Sequence, residues 1–320
     1  MQTTGERSAV QAAAILILLR LSTFFCRDTP YSAAYAVQML LTALLQTALI
    51  LPLLCFRHRM QFLPRMLRGF RLAAAFEAAY LTHAILRLCD QSGQQHMQLF
   101  LPMLLLILLY TVSLHDRAAA RTASLMLFLA AAGFLLLPVR GIGTAQRILL
   151  HTPGQPVQPL CEWAETCELP LLPLLLKTQT EQDAKRSTFA WAVFRILFLP
   201  ALVLFGTMQN GRLTAFAGNP FFLMLARTSL SDAVRTDGFW LLLVFGCGTL
   251  CITFCLQTAK PHLCSQRRTL AAAFLPYFLF LALLRMLPQT VNGIVCACFG
   301  IVIPWGIVIY NCCMNRRTTV

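Results

Sequence analysis

The stretch CEWAETCELPLLPLLL, residues 161–176, decides how the rest of the chain is read. Its second half is as apolar as any membrane helix. Its first half carries Glu162, Glu165 and Glu168, and two prolines follow three residues apart, at Pro170 and Pro173. A proline removes a backbone donor and clashes with the carbonyl four residues earlier. Such a span is either simply kinked or broken, and a break exposes backbone groups that only a cavity or a ligand can satisfy in hydrocarbon. The broken reading predicts non-helical backbone over 168–172, facing Ser22 and Thr23 of the first apolar run. It also leaves the carbonyls of 166–169 without intrahelical donors.

Working outward, the chain of 320 residues is 58% apolar and 12% charged, against about 25% charged in soluble domains. It has too little polar surface to cover itself in water, so the bilayer is its solvent. Ten apolar runs have roughly the 17–25 residues a membrane helix needs. They cover 8–26, 33–56, 72–88, 97–114, 118–139, 160–176, 188–208, 238–256, 269–287 and 291–313. The expectation is an all-α polytopic membrane protein, 1–320 forming one transmembrane domain, with helices 1–5 over about 8–139 and helices 6–10 over about 160–313. The first run is read as a retained helix rather than a signal peptide. Cys26-Arg27-Asp28 follows it with no small-residue cleavage site.

The net charge of +14 would suggest nucleic acid in a soluble protein, but here the basic residues sit in short loops between spans. With the N-terminus inside, inner segments hold 16 of the 26 Lys and Arg, outer segments hold eight, and Arg20 and Arg195 fall within spans. That is the positive-inside pattern, and it places both termini in the cytoplasm. The 13 cysteines mostly lie inside apolar runs, where cysteine behaves as a small hydrophobe. Only Cys161 and Cys167 are placed for a disulfide, and no spacing suggests zinc. Residues 151–159 are a Pro-rich loop, and the segment after Asn219-Pro220 reads as a short amphipathic outer helix. No P-loop, HExxH, GxSxG or paired-aspartate motif is present, so the sequence points away from an enzyme, with no cofactor, metal or nucleic-acid partner.

Polar residues within spans are the remaining signal. Arg20 stands in the first span ahead of Ser22 and Thr23, either snorkelling to the interface or serving a polar site. Glu77, Tyr80, His83 and Arg87 share one face of the third span. That face should point into the bundle, with Glu77 either lining a cavity or satisfied by an internal hydrogen bond.

Four stretches carry a resemblance to a known family. They are Ser8-Ala-Val-Gln11 running into ILILLRLST, the AILRLCD end of the third span, TVSLHDRAAARTASLMLF, and NPFFLMLARTSLSDAVRTDGFWLLLVF. Together they are similar to the GerAB-type permease subunits of spore germinant receptors, in the amino acid–polyamine–organocation transporter superfamily. The chain departs from that pattern at Val234, where the family has a glutamate, and at Ser22, where a glycine is common. The resemblance implies two five-helix inverted repeats, with helices one and six interrupted at the midplane. It further implies a bound small solute, most readily an amino acid, together with partner receptor subunits and the inner spore membrane. On that reading Ser22, Thr23, Glu77, Tyr80, Glu168, Leu169, Pro170 and Pro173 form the solute site, and Arg235 and Asp237 form a structural pair. A ten-helix drug/metabolite transporter is the competing reading, and a lipid-acting membrane enzyme the third.

Overall fold

The computed structural model describes residues 8–57, 60, 62–91, 97–113, 116–141, 162–211, 213, 219–227, 237–261 and 266–317. The helices are α1 (Ala9–Phe25), α2 (Ala33–Cys55), α3 (Pro64–Gln91), α4 (Met97–Ser113) and α5 (Asp116–Gly141). After the broken stretch come α6 (Leu172–Thr178), α7 (Glu181–Asn210), α8 (Pro220–Arg227), α9 (Asp237–Ala259) and α10 (Gln266–Leu284). The last helix, α11, joins Gln289–Ala297 to Ile303–Arg317 through a π-helical turn, Cys298–Val302. A second π-turn, Phe194–Phe198, lies within α7. No strand occurs among the described residues.

Six helices are long and apolar enough to cross a membrane: Ala33–Cys55, Pro64–Cys89, Ala118–Leu135, Glu181–Asn210, Phe239–Ala259 and Gln289–Cys313. Ala9–Phe25, Leu101–Ser113 and Arg268–Leu284 are shorter apolar helices. The chain is therefore a polytopic helical membrane protein, and its outward faces agree. Leu41 and Leu45 of α2, Leu106 of α4, Phe128 of α5 and Leu275 of α10 stand exposed, which water would penalise and lipid does not.

At the centre stands α1, apolar nearly all round and buried from Ala12 to Phe25, as an enclosed helix must be. It packs against α5, α7 and α9, while α3 lies against α9 and α10. Small residues set that approach: Ala74, Ala75, Ala78 and Ala79 of α3 are fully buried, letting backbones come close where hydrophobic drive is absent.

The first helix is not interrupted. It runs as continuous α-helix through Ser22 and Thr23, which corrects the expectation of a break there. The physical reason is local: Ser22 donates to the Leu18 carbonyl at 2.8 Å, and Thr23 to Arg20 O at 2.9 Å. The Ser22 hydroxyl spends itself within the helix, and the single Thr23 proton is shared between Arg20 O and the Glu165 carbonyl, so neither opens the helix. The expected outer helix is present as α8, but it is packed inward rather than laid on a surface. Phe221, Met224 and Leu225 are fully buried, and Asn219 fastens it. The Asn219 Oδ1 accepts from Phe221 N and Phe222 N, capping the helix, while its Nδ2 donates to the Phe25 carbonyl at 2.8 Å.

Candidate functional site

The broken stretch is built from turns between Ala164 and Leu171 before α6 begins. Its carbonyls are not left open. Leu169 N donates to Thr166 O at 2.9 Å and Leu172 N to Glu168 O at 3.0 Å, tight turns that take up the carbonyls the prolines had been expected to free. The carbonyls just upstream are met by side chains from distant helices. Glu165 O accepts from Arg20 at 2.6 Å and from Thr23 at 2.8 Å, and Ala164 O accepts from Asn292 Nδ2 at 2.5 Å. The expectation of orphaned carbonyls is corrected at 166, 168 and 169: the protein itself supplies the donors that lipid withholds.

The acidic first half of the stretch meets the end of α1. Arg20 bonds Glu162 at 3.1 Å and approaches Glu165 at 3.5 Å, while Arg27 bonds Glu162 at 2.8 Å and also contacts Glu165. The Arg27 guanidinium lies over the Tyr35 ring, 4.2 Å from its centroid, and donates to the Tyr35 hydroxyl. All four charged groups are buried, two cations against two carboxylates. Arg20 is therefore not a snorkelling side chain: it points inward and binds helix one to the break.

Above this cluster lies a cavity of about 490 Å³, within the range of small-ligand sites. Thr23, Arg27 and Glu165 form its floor, Tyr80, His83 and Arg87 one wall, and Asp28, Arg285 and Gln289 its rim. Across the rim Arg87 pairs with Asp28 at 2.5 Å. Arg285 is exposed, with no carboxylate paired to it among the described residues. The lining thus offers both signs of charge within a few ångströms of hydroxyls, the chemistry that holds a zwitterion.

On the far side of the break, Glu168 faces α7. Its carboxylate lies 3.4 Å from Arg195 Nε and accepts from Trp191 Nε1 at 3.4 Å. Arg195 stacks on Trp191, 4.7 Å from the ring centroid, and donates to Gln46 Oε1. Arg195 sits in the π-turn of α7, and Leu169 packs on Gly300 in the π-turn of α11. Such turns favour functional sites, and both of these close on the break.

Thr23 and Tyr80 line the cavity as expected, and His83 and Arg87 join them from the same helical face. The other expected lining residues do not line it. Ser22 turns toward Cys251 of α9 at 3.4 Å, a consequence of the unbroken helix. Glu77 is buried one turn below Tyr80, where Cys296 donates to its Oε1 at 3.4 Å. Glu168 and Leu169 are drawn away by Arg195 and Gly300, and Pro170 and Pro173 lie buried beyond them. The Arg235 residue and the Asp237 side chain lie outside what the structure describes. Cys167 is a buried free thiol, and Cys161, its expected disulfide partner, lies outside the described residues.

Sequence reasoning missed Arg27, Arg285 and Asn292. The three-residue spacing of Glu162 and Glu165 was a signal that two cations had to be near. Asn292, an amide near the start of an apolar span, was another. Comparison with known proteins finds no family model, no curated protein and no solved structure that matches this chain.

Proposed function

We propose that this chain is a permease-like membrane protein that binds a small zwitterionic solute, an amino acid first, in the cavity between α1, α3 and the broken stretch. The observation that supports the reading is the cavity's lining. Glu165, Asp28 and the Thr23 hydroxyl oxygen suit an ammonium, Arg285 and the Tyr80 hydroxyl suit a carboxylate, and an irregular segment supplies Glu165 to the floor. Transporter sites are commonly built on such discontinuous helices. The same reading takes ten spans in two five-helix repeats, both termini cytoplasmic, and service as a germinant-receptor subunit beside partner subunits in the inner spore membrane.

The test is a thermal-shift series on the purified full chain against the amino acids and common sugars. An amino acid that raises the melting temperature in the wild type and not in Thr23→Val supports the reading. A series with no stabilising solute sinks it. Topology is tested separately with a cysteine at Phe62, which should resist a membrane-impermeant thiol reagent applied from outside.

A further inference from the structure

The cavity leaves unused a buried carboxyl with no cation paired to it among the described residues. Glu77 is fully buried in α3. Its Oε1 accepts from Cys296 at 3.4 Å, and its Oε2 has no hydrogen-bond partner. Beside it stand Cys167 of the break and Asn292 of α11. The amide orientation of Asn292 is fixed by its surroundings, because Nδ2 donates to Ala164 O at 2.5 Å and lies 3.6 Å from the Cys167 sulfur. That leaves the buried Asn292 Oδ1 also without a partner. Glu77 Oε2 and Asn292 Oδ1 are thus both acceptors without a partner, as is Oε2 of nearby Glu168.

One proton shared between Glu77 Oε2 and Asn292 Oδ1 would satisfy both. The titratable groups around Glu77 are Tyr80 on its own helix, Cys167 and Glu168 from the break, Cys255 from α9 and Cys296 from α11. On α10, Tyr277 is bonded to Thr82 at 3.0 Å, and α4 carries no charged residue. No cation is among them: Arg20 and Arg27 are held by Glu162 and Glu165, and Arg195 by Glu168. A bare carboxylate in such a place costs several kcal/mol, and groups so placed take up a neutralising charge instead.

We propose that Glu77 is a proton-binding site that fastens the broken stretch to α3 and α11. The proton comes from water and leaves as hydronium, with no other bond made or broken. On Oε2 it supplies the donor that the cluster lacks, toward Asn292 Oδ1. Asn292 is then free to keep its amide N–H on Ala164 O, one residue from the Glu165 that floors the cavity. Deprotonated, the carboxylate needs an N–H and competes with the Cys167 sulfur for the second one of Asn292, loosening that tie to the break. The cavity is the nearest source of water on this proposal, since Tyr80 lines it and stands only three residues on, about 4.5 Å along the helix axis.

Infrared difference spectroscopy of the full chain in lipid nanodiscs, between neutral and alkaline pH and without solute, tests this directly. The expected result is a neutral carboxylic-acid C=O stretch at neutral pH that disappears in Glu77→Gln. In Cys296→Ala, which keeps Glu77 but removes a donor to it, the same band should shift. A wild type without the band overturns the proposal, as does a band that persists in Glu77→Gln or stays unmoved in Cys296→Ala. If the band is missing and sodium instead stabilises the wild type but not Glu77→Gln, the neutralising charge is a metal cation and the proton assignment fails. Because no solute enters the experiment, its failure is distinct from failure of the solute-binding reading.

Discussion

Two groups of buried acids flank the broken stretch, and they are treated in opposite ways. Glu162 and Glu165 meet Arg20 and Arg27 one for one, with an aromatic ring and backbone carbonyls taking further guanidinium contacts. Glu77, on the other side, has thiols and an amide and no cation among the described residues. A charge-balanced cluster holds shape through its ion pairs, even with Arg20 Nε and Arg27 Nε lacking hydrogen-bond partners. A carboxyl without a cation stays responsive to what arrives. The break is thus pinned on the side of α1 and left adjustable on the side of α3 and α11.

The largest expected effect comes from breaking the pinned side. Removing one partner of a buried pair strands the other charge and costs about 3–5 kcal/mol. Arg20→Met is expected to fall in that range, since it leaves Arg27 alone against two buried carboxylates and also takes a donor from the Glu165 carbonyl. Melting of the purified variant against wild type measures it. A change no larger than that of an exposed substitution would show that the cluster does not pin the break, and the comparison would collapse.

Next in size is Gly300→Ala. A methyl group there would sit 2.6 Å from Leu169 Cβ and 3.2 Å from the Leu169 carbonyl oxygen, so the backbone of the break or of α11 must move. Overpacking of this kind costs about 1–3 kcal/mol. The variant sharpens the comparison, because it pushes on the adjustable side without touching any charge. It should also shift the Glu77 carboxyl band, since Asn292 rides on the same helix. A variant as stable as wild type would mean the two elements part freely.

Much of this was legible in the sequence, for physical reasons that differ by element. Ten apolar runs follow from composition, and the described helices fall on nine of them because backbone groups in lipid must be paired along the chain. The sixth was readable as broken because Pro170 and Pro173 remove donors wherever they stand. The uninterrupted α1 was not readable. Ser22 and Thr23 suit an opened helix as well as a closed one, and the choice lies in whether their hydroxyls bond backward. The site was half legible. Tyr80, His83 and Arg87 followed from helical spacing alone. The partners of Arg20 lie more than 140 positions away, and no local pattern connects them.

A third substitution, Glu77→Gln, should alter stability little, within about 1 kcal/mol. The amide keeps an oxygen for Cys296 and gains an N–H for Asn292 Oδ1, which removes the orphans rather than creating them. Parity between Glu77→Gln and wild type at neutral pH, beside the large loss in Arg20→Met, would set the two sides apart on one scale. A loss as large as that of Arg20→Met would mean that Glu77 is an ionised structural partner.

The smallest expected effect on stability belongs to Arg87→Gln, and it separates holding the fold from serving the cavity. The Arg87–Asp28 pair lies at 2.5 Å, but its side chains are 41% and 34% exposed. Exposed pairs contribute about 0–1 kcal/mol, because water competes for both charges and two long side chains lose freedom in pairing. Melting of Arg87→Gln without solute should therefore sit close to wild type. Binding is a different matter, since Arg87 and Asp28 face each other across the cavity entrance. Without Arg87, Asp28 becomes an unpaired anion at the mouth, attracting the ammonium of a zwitterion while repelling its carboxylate. The stabilisation given by an anionic amino acid should fall relative to that given by a cationic one, most clearly at low ionic strength, where charges are least screened. Equal stabilisation of the variant by both, in the same ratio as wild type, would show that solute does not pass or rest at this rim, and the cavity would lose its claim to be the binding site.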